Sequence, residues 1–90
     1  MKLNATEKRV LTLLDNVHLE KFPTHATTLI NISAKNIQAI SKRLISLGFI
    51  RIEQFNKEPW AFHTEKVTAE LLDKNLAITV QTLPKIHLTD

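Results

Sequence analysis

The stretch "SAKNIQAISKRLISLG", residues 33–48, constrains the fold more than any other part of the chain. Ile37, Ile40, Leu44 and Leu47 recur three and four apart, the spacing that aligns side chains along one face of an α-helix. Ser33 stands where a side-chain oxygen accepts an N–H of the first turn. Gly48 stands just past the last turn, where a left-handed residue ends a helix. The opposite face carries Lys35, Gln38, Ala39, Lys42 and Ser46, with Asn36 and Arg43 on one shoulder and no acid. Surfaces that only meet water usually mix both signs of charge. A one-signed face of this kind points to an anionic neighbour.

The hydrophobic period then changes. Ile50 and Ile52 alternate with Arg51 and Glu53, which is the period of a strand. "NKEP" is a turn cluster and "WAFHT" a second extended run, so a β-hairpin is predicted directly after the helix. Upstream, Asn4 and Glu7 occupy the cap and third positions of a capping box, and Val10, Leu13, Leu14 and Val17 form one apolar stripe behind them. "HLEKFP" predicts a short strand or extended link, because Pro23 disfavours helical backbone at Phe22. Thr24 is expected to cap a short second helix over 25–30, with Ala26 and Ile30 inward. Asn31 and Ile32 form the turn into the helix that Ser33 caps. Two helices joined by about three residues are the helix-turn-helix signature. Downstream, Thr64 is expected to cap a fourth helix over 65–75, with Val67, Leu71 and Leu72 inward. "AITVQTL" alternates and is β-branched, so a last strand is predicted at 77–83, closed by Pro84. The expectation is one α+β domain over 1–84, with 85–90 a loose tail.

Composition narrows the function. Ninety residues can bury a modest core but leave little room for a cleft enzyme. The chain is 43% apolar and 23% charged, ordinary for a folded domain. It has no cysteine, no apolar run long enough to cross a bilayer and no apolar signal core near Met1, so the cytoplasm is the expected location. Net charge is only +3, yet Lys21, Lys35, Lys42, Arg43 and Arg51 all lie between Glu20 and Glu53, where there is no acid. Such a concentration suits nucleic acid. His18, His25, His63 and His87 have no metal-ligand spacing, and one glycine cannot build a phosphate-cradling loop. No catalytic site, metal or cofactor is expected, and no pocket for a small-molecule effector is evident.

The segments "LNATEKRVLTLL", "ISAKNIQAISKRLISLGFIRI" and "FHTEKVTAELL" together resemble the winged helix-turn-helix, specifically the small MarR-like and related bacterial or phage DNA-binding domains. Leu44, Gly48, Phe49, Ile50 and Arg51 supply the pattern with which that family closes its recognition helix and enters its wing. The resemblance covers about three quarters of the chain. It implies a three-helix core with a hairpin wing, and a role as a transcriptional regulator. Asn31 stands where the family has a small residue. The long helices through which MarR-type dimers pair have no counterpart here.

Helix 33–47 is accordingly expected to enter the major groove of duplex DNA. Helix-turn-helix proteins read bases mainly with the N-terminal half of this helix. Lys35, Asn36, Gln38 and Ala39 are therefore assigned to base readout: amides pair with adenine, cations reach guanine, and the Ala39 methyl can meet a thymine methyl. Lys42 and Arg43 are assigned to phosphates, as are Thr24 and Ser33 at the helix starts, with His25 beside them. The wing, 49–64, is placed on adjacent backbone or minor groove through Arg51 and its tip residue Lys57.

A homodimer is expected, since a module this small covers limited DNA. Its candidate pairing surface is the fourth helix with strand 77–83. Phe49, Phe55, Trp60 and Phe62 are expected to cover the core from the wing side, Trp60 being the first candidate for exposure. Ile45 is expected near an exposed flank. Two alternatives differ in class. One is a winged-helix protein-interaction module, such as a small viral or plasmid protein that blocks a nucleic-acid-binding partner. The other is a single-strand binder that uses the wing aromatics.

Overall fold

The structure is a computed structural model that describes residues 2–82. It begins with helix α1 (Ala5–Leu13), capped as the sequence predicts. The Glu7 N–H donates to Asn4 Oδ1 at 2.7 Å, and the Asn4 N–H donates to Glu7 Oε1 at 2.9 Å. A short strand β1 (Val17–His18) follows, then α2 (Phe22–Ile30) and α3 (Ala34–Ser46). Asn31 sits between these helices at φ 51°, a left-handed conformation that asparagine tolerates. Strands β2 (Ile50–Phe55) and β3 (Glu58–His63) form the hairpin. Last come a 3₁₀ turn (Ala69–Leu71) and α4 (Lys74–Thr82). Among the described residues the architecture is α+β: four α-helices and one antiparallel sheet of order β1-β3-β2.

The core lies between the three leading helices and one face of the sheet. Val10, Leu11 and Leu14 meet Phe22, Ile30, Ile37 and Leu44, all fully buried, with Ile50 and Ala61 closing the sheet side. The register pairs Ile50 with His63 and Ile52 with Ala61, so these four share the inner face. His63 anchors the sheet to α1: its Nε2 donates to the Leu11 carbonyl at 2.6 Å, and its backbone N–H donates to Asp15 Oδ1 at 2.9 Å.

Several expectations are corrected. Helix α2 starts at Phe22 and not after Thr24; Lys21 is its cap residue and Thr24 caps nothing. Pro23 belongs to the first turn, where its missing N–H has no intrahelical partner to lose. No helix spans 65–75. Thr64 is drawn into the hairpin base instead, its Oγ1 donating to the Gly48 carbonyl at 2.6 Å and its N–H to the Phe49 carbonyl at 3.0 Å. Val67 and Leu72 still pack on the core from irregular backbone, and Leu71 does so from the 3₁₀ turn. The strand expected at 77–83 is helical through residue 82. Asp73 starts that helix, accepting the Leu76 N–H at 2.9 Å, and its own N–H donates to Thr12 Oγ1 at 2.8 Å. A β-branched segment needs a neighbouring strand to gain from alternation, whereas a helix satisfies its own backbone. Ile45 is half-buried against the core, not on an open flank. Residue 83, Pro84 and the tail expected at 85–90 lie outside the described residues.

Candidate nucleic-acid interface

Helix α3 is divided cleanly. Ile37 and Leu44 are fully buried, and Ser41 joins them by donating its hydroxyl to the Ile37 carbonyl at 2.8 Å. Lys35, Asn36, Gln38, Ala39, Lys42 and Ser46 are all exposed. The helix start is set by Ser33, whose Oγ accepts the Asn36 N–H at 3.2 Å. Its end is set by Gly48 at φ 86°. Neither Lys35 nor Lys42 forms an ion pair among the described residues. All four residues assigned to base readout therefore stand on one open surface, with Lys42 two turns along from Lys35.

The residues assigned to phosphates divide. Thr24, Ser33, Lys42 and Lys57 are exposed, and so is His25. Lys57 lies at the hairpin tip with Asn56, both at positive φ (66° and 52°), the conformation of a two-residue type I′ turn. Thr24 and Ser33 each have local duties: the Thr24 carbonyl accepts from Thr27 Oγ1, and the Ser33 hydroxyl is occupied as a cap.

Arg43 is held differently. Its Nε donates to Glu7 Oε2 at 2.8 Å, joining α3 to α1, while 53% of its side chain stays exposed. Arg51 stands on the outer face of the hairpin, ion-paired with Glu53 and lying over the Phe62 ring at 4.8 Å. Both arginines thus combine any phosphate contact with a tie inside the fold, whereas Lys35, Lys42 and Lys57 form no ion pair among the described residues.

The hairpin aromatics are mostly not core. Phe49 packs against it, half-buried. The register places Arg51 opposite Phe62, Glu53 opposite Trp60 and Phe55 opposite Glu58, so Phe55, Trp60 and Phe62 lie on the outer face. Trp60 and Phe62 are half-buried there and Phe55 is exposed at 49%. The signal was present in the sequence: once a two-residue turn is placed at Asn56-Lys57, Ile52 faces Ala61 and the aromatics take the other parity. Sequence reasoning also missed Glu7 as the partner of Arg43, and His18, which is buried on that outer face beside Trp60.

Among the described residues, no three histidine, aspartate or glutamate side chains converge as a metal site, and no helix is long and apolar enough to cross a membrane. No family model matches the chain, and no curated protein or solved structure is significantly similar to it.

Proposed function

We propose that this protein is a winged-helix regulator of transcription that binds duplex DNA sequence-specifically, with α3 in the major groove. The observation that carries this is the division of α3. On its apolar side Ile37 and Leu44 are fully buried and Ile40 and Leu47 half-buried, and its acid-free side presents Lys35, Asn36, Gln38, Ala39 and Lys42 together. The order helix, strand, helix, helix, hairpin and the three-stranded sheet are compatible with the winged-helix layout that the sequence resembles. Asn36 and Gln38 read base edges, Ala39 permits close approach, and Lys35 reaches a base or phosphate. Lys42 holds backbone, and Lys57 at the hairpin tip meets a neighbouring phosphate or minor groove. The role is binding in the cytoplasm, without an enzymatic step or cofactor.

Pairing of two copies belongs to the same proposal, because a single small module buries limited DNA surface. Strand 77–83 no longer offers the pairing surface. Helix α4 takes its place, since Ile78 is 60% exposed on it. Ile78→Lys is expected to halve the mass measured by sedimentation equilibrium; an unchanged mass removes α4 from the interface.

Selection of bound sequences from random duplexes at physiological salt tests the function. A recurrent motif is expected. Gln38→Ala should relax preference at one position of that motif and weaken the best site by about 1–3 kcal/mol. Recovery of unenriched sequences would leave only non-specific binding and sink the regulator.

A further inference from the structure

The outer face of the sheet holds a groove of about 450 Å³, and none of the α3 residues assigned to DNA lines it. His18 lines it at 3% exposure, with the Trp60 ring edge-on at 5.7 Å between centroids. Phe62 is fixed between Arg51 over its ring and Phe55 edge-on at 6.2 Å. These partners hold the aromatic surface in place while leaving Trp60 half-open and Phe55 exposed.

The polar groups are equally defined. His18 Nδ1 accepts the Lys21 N–H at 3.3 Å, so the proton of the neutral ring lies on Nε2, 3.5 Å from Glu58 Oε2. Asn16 and Asn56, both left-handed and exposed, bring amides to the groove, and Lys21 brings an ammonium.

We infer that this groove takes an unpaired nucleobase of a single-stranded nucleic acid. The base stacks on Trp60 and Phe55, and its phosphate lies at Lys21. Every base has a flat π-face, which suits the ring surface regardless of sequence. Its edge offers both donors and acceptors, which suit the two amides and the Glu58 carboxylate. Lys21 complements the one charge that each nucleotide carries. The site is separate from the duplex interface on α3 and does not depend on it.

Trp60 is the only tryptophan in the chain, so its emission reports on this groove alone. The full chain is titrated with oligo-dT of about ten nucleotides, within the site size of known single-strand binders. Saturable quenching is expected. Phe55→Ala, an exposed position, should weaken it about tenfold, and Lys21→Ala should lower the salt slope by about 0.7. Lys35→Ala combined with Lys42→Ala should leave quenching unchanged while duplex binding falls. Duplex binding that fails in the wild type while quenching persists would end the regulator and leave the groove site standing. Absent quenching, or quenching that Phe55→Ala does not move, overturns the site. So does loss of quenching in the α3 double variant, which would place the strand on α3, or quenching by a basic peptide and by no oligonucleotide.

Discussion

Glu7 and Arg43 stand 36 residues apart in sequence and meet at 2.8 Å. Glu7 has two duties at once. Oε1 accepts the Asn4 N–H that opens α1, and Oε2 accepts from Arg43 across to α3. The Glu7 side chain is only 10% exposed, while that of Arg43 is 53% exposed. Solvent screening therefore reduces the pair's own worth to about 0–1 kcal/mol. Glu7→Ala removes the cap as well and is expected to lower stability by about 1–2 kcal/mol in urea unfolding. Arg43→Ala should cost less than about 1 kcal/mol. Equal losses from the two substitutions would show that the cap adds nothing. The capping box was legible because its members are three residues apart; the ion pair was not, because only the packing of α1 on α3 brings it together. Gly48 was legible too. At φ 86° an alanine is strained, and its Cβ would lie 2.9 Å from Lys66 Nζ. The lysine end can swing away, so backbone strain dominates. Gly48→Ala is expected to cost about 1–2 kcal/mol, measured as a shift in the urea midpoint at unchanged slope.

At the scale of elements, the parts readable from sequence are those fixed by short-range chemistry. Helix α3 has a cap, an apolar stripe and a terminating glycine, and all three hold. The hairpin has its turn at Asn56-Lys57, and Lys57 is the less suited residue, since lysine at φ 66° is strained where glycine is not. Lys57→Gly is expected to stabilise the protein by about 0.5–1 kcal/mol, the relief of strain exceeding the entropy cost of glycine. A lowered melting temperature would contradict the I′ turn. Thr64 and the 77–82 segment were misread for one reason: their local signals fit more than one structure, and long-range partners decide. Thr64 finds the Gly48 carbonyl, and Asp73 finds Thr12. Asp73→Ala should accordingly cost about 1 kcal/mol, with α4 the first element to lose hydrogen-exchange protection.

At the scale of the whole molecule, ion pairing sorts the charges. Glu7 is taken into the fold and holds Arg43 with it, Glu53 takes Arg51, and Lys35 and Lys42 are left on an open helix face. The core behind that face is what positions it: Ile37 and Leu44 seat α3 against α1 and α2. The concentration of cations was visible in the sequence, but which of them stay outside ion pairs among the described residues required the fold. The proposed function puts this face against DNA backbone and bases. Duplex affinity measured across a salt series, for wild type and Lys42→Ala, tests it most directly. Affinity is expected to fall steeply with salt, and Lys42→Ala should lower the slope by about one. Duplex affinity that is insensitive to salt, or a slope that Lys42→Ala leaves unchanged, would contradict the placement of α3 on DNA.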